Sequence, residues 1–324
     1  MGVYHLTRLG RSPGAVIGPL TYLAHRYQRW NAEDQAFFAR SGEVRQRKTG
    51  ERVGDVQAVV FFTTKEILNG TLSSFDYVDN PPSKVARGPV KSGGAMKEVL
   101  RQLLRREWPA ISGGRPFGTI FWCEVDRRNI RTTYERVIQI VAALAGVGRQ
   151  GKEMWGNLTG GNNVINFALE LGATLSGAVA RLYYVQAANP DAEKCVRFTA
   201  ENGYWVELPV MPLALSPLTQ SVIDLLAKKG PLSLSELYSI LRNEYWDASR
   251  GLTSEEILRE AFLAPMWKQG LIAETPAGYV IGPQWELVRP YQEVWKKALA
   301  RGKTIEQLAQ TEPWLERETI TWER

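Results

Sequence analysis

Only two cysteines and two histidines occur among the 324 residues. Cys123 and Cys195 each lie in strand-like surroundings, which fits buried free thiols in a reducing compartment and argues against a disulfide framework. With His5 and His25 as the whole supply of imidazole, no metal site is expected, and no resident cofactor is implied. No apolar run reaches eighteen residues, so no membrane-spanning helix is expected. The first residues, MGVYHLTRLGRSPGAV, lack the apolar core of a secretion signal, and a cytoplasmic protein is the expectation. The chain also lacks G-x-x-x-x-G-K-[ST] and G-x-G-x-x-G, which removes a P-loop ATPase and a plain dinucleotide fingerprint. Internal repeats, low-complexity tracts and the clustered acidic residues of a metal-dependent nuclease are missing too.

What is present is ordinary in amount and uneven in distribution. Hydrophobic residues make up 44% and charged residues 23%, as in a globular protein, and the length suggests more than one domain. The net charge of +6 is not shared out evenly. Residues 1–212 hold 27 Lys and Arg against 19 Asp and Glu, residues 213–283 hold 6 against 8, and the remainder 7 against 7. The basic excess belongs to the N-terminal part, where an anionic ligand would be favoured.

That part alternates strand-like and helix-like segments. Strands are expected at Val3–Thr7, Val56–Thr64, Thr119–Asp126, Met154–Thr159 and Val179–Ala187. Helices are expected at Val16–Trp30, Arg131–Ala145 and Asn163–Leu175. CVRFTA and YWVELPVMPL read as two further strands around a hairpin turn at Asn202-Gly203. Strand–helix–strand order at this spacing gives right-handed crossovers, hence an α/β, Rossmann-like, mainly parallel sheet. The segment Asp79–Gly94, with three prolines and three glycines, is the kind of long loop that serves as a lid or is disordered. Beyond residue 212 the pattern changes to three helices, with N-cap candidates Ser233 or Ser235 and Thr253 or Ser254, followed by a two-strand hairpin. This is the order of a winged helix-turn-helix, assigned to 213–289. Residues 290–324 read as a tail with one helix and a Glu- and Trp-rich end.

Ligands of open α/β sheets sit beyond the carboxyl ends of the strands. Two loops there stand out. One follows the first strand and offers Thr7, Arg8, Gly10, Arg11, Ser12, Pro13 and Gly14. The other follows the fourth and offers Thr159, Gly160, Gly161, Asn162 and Asn163. Glycines let backbone N–H groups approach an anion, and each loop enters a helix whose N-terminus attracts negative charge. The pair reads as a phosphate or nucleotide cradle, although Gly-Gly before a helix can equally be a plain tight turn.

These motifs, L-G-R-S-P-G after a short first strand, L-T-G-G-N-N between strand and helix, then RLYYVQ and a closing YWVELPVMPL, resemble the CARF family, the CRISPR-associated Rossmann-fold domains. Many members carry a winged helix after the closing segment. The resemblance spans about residues 1–283. It implies a homodimer that binds a cyclic oligoadenylate across its two-fold axis, with Gly10 to Pro13 touching one part of the ring and Gly160 to Asn163 another. Arg8, Arg11, Lys91, Lys97 and Arg149 are the candidate phosphate partners. Some members, the ring nucleases, cleave the ring without metal by aligning its own 2′-hydroxyl. By resemblance Ser12 and a lysine would serve here. The sequence departs from the family in having Gly-Gly-Asn-Asn where many relatives have Gly-Gly-x-Lys, and the nearest substitute is Lys152. Binding with signalling through the winged helix is therefore the leading expectation, and ring cleavage the alternative. A transcription regulator is the third expectation. Yet the expected recognition helix, Thr253–Gln269, is net negative, which suits a dimerisation or regulatory module better than DNA. DNA contact would have to come from Arg242, Arg250, the wing, or Lys296, Lys297, Arg301 and Lys303.

Overall fold

The computed structural model describes residues 2–39, 55–79, 89–115, 117–146, 151–160, 163–189, 192–200, 202–210 and 216–321. Two compact units emerge, Met1–Pro212 with Trp295–Arg324, and Leu213–Val294.

The first unit is built on a seven-stranded sheet. Its opening strand, β1 (Val3–Arg8), is buried at every position and leads to α1 (Gly14–Arg29) and α2 (Ala32–Ala39). Then come β2 (Val56–Thr63), the single turn α3 (Lys65–Leu68), the small antiparallel pair β3 (Tyr77–Val78) and β4 (Val90–Lys91), and α4 (Met96–Ile111). β5 (Phe117–Glu124), α5 (Ile130–Ala145), β6 (Glu153–Asn157), α6 (Asn163–Ser176), β7 (Arg181–Ala187) and β8 (Gly203–Leu208) follow. With the C-terminal strand β11 (Leu315–Thr321), the order across the sheet is β11-β5-β2-β1-β6-β7-β8, with β1, β2, β5, β6 and β7 parallel. The expected α/β, Rossmann-like, mainly parallel architecture is therefore present. Apolar runs such as VQAVVFF in β2 are continuous because helices cover both faces of the sheet.

Two features differ from the sequence reading. CVRFTA is not a strand: β8 pairs antiparallel with β7, Leu182 opposite Leu208 through Ala187 opposite Gly203. The stretch between them spends its apolar side chains covering α1, where Val196 and Phe198 are buried and the Phe198 amide donates to Thr21 Oγ1 at 3.0 Å. The tail holds more than one helix: α11 (Pro283–Ala300) and α12 (Ile305–Thr311) precede β11 (Leu315–Thr321), which pairs antiparallel with β5 as an edge of the sheet.

The second unit contains α7 (Pro217–Lys229), α8 (Leu234–Glu244), and a third helix that runs from α9 (Glu255–Ile257) through a π-helical turn (Leu258–Leu263) into α10 (Ala264–Lys268). The hairpin of β9 (Ile272–Thr275) and β10 (Gly278–Ile281) follows. Ser216, Ser233 and Ser254 cap the three helices with side-chain oxygens, Ser233 within a reciprocal capping box with Glu236. Leucines at helical spacing (Leu218, Leu225, Leu237, Leu241, Leu258) supply its separate core. Among the described residues no helix is long and apolar enough to cross a membrane.

The centre of the first unit carries a buried titratable group. His5 on β1 is 1% exposed, with Nδ1 2.9 Å from Tyr183 Oη and its ring edge-on to Trp155. Burial, then the charge of Arg181, pushes its pKa down to about 3. An unfolded histidine titrates near 6.5, so between pH 6.5 and 3 the unfolded chain takes up a proton that the folded chain refuses. The stability due to neutral His5 is whole above pH 6.5 and is lost as pH falls toward 3. The expected contribution to the slope of unfolding free energy is at most about 1.4 kcal/mol per pH unit. Urea unfolding of His5→Gln at a series of pH values should show that part of the slope missing. An unchanged slope would place His5 in contact with solvent.

Candidate functional site

From β1 the chain moves to β2 on one side of the sheet, while β6 lies on the other. The carboxyl ends of β1 and β6 thus flank the point where strand order reverses, the place where open α/β sheets leave a crevice. A cleft of about 840 Å³ opens there. Its lining includes Arg11, Ser12, Pro13, Gly14 and Ala15 from the first loop and Thr159 and Gly160 from the second.

Asn157, the last residue of β6, joins the two loops. Its Nδ2 donates to Thr7 Oγ1 at 3.0 Å and to the Ala15 carbonyl at 3.1 Å, and its Oδ1 accepts from the Thr159 amide at 2.9 Å. Thr159 Oγ1 in turn accepts from the Val185 amide at 2.9 Å. Thr7 and Thr159, both expected as ligand contacts, spend these side-chain oxygens holding the loops. Gly160 has φ +77°, a conformation that favours glycine, and its carbonyl accepts from Asn166 Nδ2 at 3.2 Å and from Arg8 Nη1.

Arg8 is the unusual member. It is 5% exposed, its Nε has no hydrogen-bond partner, and among the described residues no carboxylate pairs with it. Burial pushes its pKa down to about 10, which leaves it charged at neutral pH. A buried, uncompensated guanidinium beneath two glycine-containing loops is costly unless an anion completes it. Above it, α1 starts at Pro13 without a side-chain cap, so its first turn offers backbone N–H groups and the positive end of the helix dipole. Gly14 is required there, since a Cβ would stand 2.3 Å from the Cys195 carbonyl oxygen.

The opposite wall comes from two segments that sequence reading did not assign to the site. Ser74, Phe75, Asp76 and Tyr77 form one, and Glu193, Lys194 and Phe198 belong to the other. The Arg11 guanidinium stacks 4.4 Å from the centre of the Phe75 ring and donates from Nε to the Ser73 carbonyl at 2.8 Å. The Phe75 amide returns a bond to the Arg11 carbonyl at 2.8 Å, and Phe75 itself is 54% exposed.

Other expected residues fall elsewhere. Lys152 precedes β6, at the end of the strand opposite to Asn157, with its amide bonded to the Leu144 carbonyl. It therefore does not join Ser12. Lys97 is held by Glu316 at 2.7 Å and over Trp122, and Lys91 by Asp79 at 2.5 Å, so neither is a free phosphate partner. Asn163 is exposed as the first residue of α6, and Gly10 sits where a Cβ would lie 3.0 Å from Arg8 Nη2. Gly161, Asn162, Arg149 and residues 80–88 of the long loop lie outside the described residues. Among the described residues no group of three or more His, Cys, Asp or Glu side chains is placed to hold a metal ion.

No protein-family model matches the chain. An uncharacterized protein of Archaeoglobus fulgidus is 26% identical over 259 residues, which cover 75% of this chain and 79% of that protein. Among solved structures, Enterococcus italicus Csm6 bound to cyclic hexa-2′-fluoro-hexa-dAMP aligns with 96% of this chain at 11% identity and a TM-score of 0.36. The chain spans 62% of that Csm6 chain.

The residues missed had little to mark them. Asn157 and Asn166 lay inside segments read as strand and helix, where a polar side chain that bonds across elements has no distinctive spacing. Phe75 and Lys194 reach the cleft only through tertiary placement. One clue was available for Asn157, a polar side chain closing an otherwise apolar strand beside a glycine loop.

Proposed function

We propose that this protein is a CRISPR-associated sensor of the CARF type, which binds a cyclic oligoadenylate in the switch-point cleft as a homodimer. The observation that carries the reading is Arg8: a buried cation with no carboxylate partner among the described residues, under the uncapped start of α1 and the Gly160 turn. That arrangement asks for an anion. Phe75, exposed on the cleft wall, adds an aromatic face for a base, which favours a nucleotide over a bare anion. The motif resemblance supplies the cyclic form of the ligand and the dimer.

In this reading the second unit is a winged helix that passes the signal on. It joins the first unit through two chain crossings, at 212–213 and 294–295. Its third helix opens with Glu255 and Glu256, which supports a regulatory or dimerising role over DNA contact. Ser12, half-buried in the cleft lining at the entrance to α1, keeps ring cleavage as the second reading.

Both readings are tested by incubating the protein in EDTA with cyclic oligoadenylates of several ring sizes while following binding and product. Binding with the ring intact is expected, and loss of the ring that depends on Ser12 would establish the nuclease. Phe75→Ala should weaken binding roughly 5- to 100-fold through lost base stacking, checked by equilibrium titration. An unchanged affinity would remove the base from that wall.

A further inference from the structure

We infer that Lys194 is the cation that meets a ligand phosphate beside Ser12 and the first turn of α1. This rests on the reading of the cleft as an oligoadenylate site. Among the described residues the cleft is lined by two cations, Arg11 and Lys194, with Arg8 buried behind the lining. Arg11 is committed to the Ser73 carbonyl and the Phe75 ring. Lys194 is exposed and has no ion pair or hydrogen bond for its ammonium among the described residues.

Its position is fixed by backbone. Lys194 ends the 3-10 turn Ala192–Lys194, which is closed by the Cys195 amide on the Ala192 carbonyl at 3.0 Å and opened by the Ala192 amide on Asn189 Oδ1 at 2.9 Å. The Val196 amide then bonds to the Val78 carbonyl at 2.9 Å. A Cβ on Gly14 would lie 2.3 Å from the Cys195 carbonyl oxygen and 3.7 Å from that of Glu193, so the 193–195 backbone lies directly against the start of α1. A four-carbon stem from that turn brings the ammonium within reach of an anion on the helix N-terminus. Lysine suits the task as a mobile point charge. Asp76 in the same lining repels phosphate, and Glu193, in the same turn as Lys194, offsets part of the lysine's charge.

The test compares wild type, Lys194→Ala, Lys194→Arg and Lys152→Ala in titrations with labelled cyclic oligoadenylates at several KCl concentrations. Lys194→Ala should bind about 10- to 100-fold more weakly, with a salt slope smaller by about two per ring, one for each chain of the dimer. Lys194→Arg should keep most of the affinity, and Lys152→Ala all of it. Equal affinity and slope for wild type and Lys194→Ala would overturn the inference. The same proteins titrated with inorganic tripolyphosphate separate the lysine from the ring. If wild type binds tripolyphosphate but no ring, the oligoadenylate reading fails, and Lys194 stands or falls on whether Lys194→Ala alone loses tripolyphosphate. Binding of neither probe by wild type overturns both.

Discussion

Arg8→Met will bind cyclic oligoadenylate roughly a hundredfold more weakly, as expected when a buried charge close to an anion site is removed, and will unfold at nearly the same urea concentration as wild type. Methionine fills most of the guanidinium's volume without its charge. The folded protein loses one donor to the Gly160 carbonyl, which keeps Asn166 Nδ2. It also sheds an uncompensated buried cation. These changes oppose each other, so the net effect on stability should stay within about 1 kcal/mol. Affinity has no such offset, because the anion loses the positive charge buried behind the cleft lining. Two results would contradict this. Full binding by the variant would make Arg8 a strap between loops and nothing more. Unfolding, with loss of the urea transition, would mean that the guanidinium holds the fold.

Ending the chain after Glu312 will destabilise the first unit by more than about 5 kcal/mol, the scale of several large core deletions. β11 covers the outer edge of β5 from Leu315 opposite Cys123 to Thr321 opposite Phe117. Leu315 and Ile320 are buried to 2% and 0% exposure. Glu318 accepts from Trp122 Nε1 at 2.8 Å and pairs with Arg101, while Glu316 holds the buried ammonium of Lys97. Removal therefore strips apolar cover and leaves a buried cation and an indole N–H without partners. Circular dichroism melting of the shortened chain checks this. Ile320→Ala, expected to cost about 2–4 kcal/mol, gives a folded variant on which the same account can fail. A shortened chain that melts with wild type would show that the seventh strand is dispensable.

These two results bear on what the sequence could reveal. β2 and β5 are legible because strands buried on both faces leave apolar runs, AVVFF and IFWC. The two loops were legible because glycine and proline punctuate strand-to-helix turns at the carboxyl edge. β11 escaped because LERETIT alternates poorly: five of its seven residues face charge partners or solvent, and an edge strand is protected by such charges. Asn202-Gly203 gave a hairpin signal, but the turn there is closed by the Gly203 amide on the Thr199 carbonyl, and β8 returns to β7 instead. The Asn202-Gly203 hairpin expected there does not form: a turn is present, but Gly203 does not take the left-handed conformation of an Asn-Gly hairpin, and the partner strand is set by tertiary burial. At the site, Ser12 and Gly160 are legible in their loop sequences, whereas Lys194 belongs to a connection that only the packing of Gly14 against Cys195 brings near.

The most direct test of the central claim is the stoichiometry of a titration, calorimetric and at fixed salt, of the purified protein with cyclic oligoadenylate. One ring per two chains, with ring and protein co-sedimenting at the mass of a dimer, is the expected result. One ligand per chain, or no heat for any ring size, would contradict a cleft shared across a two-fold axis.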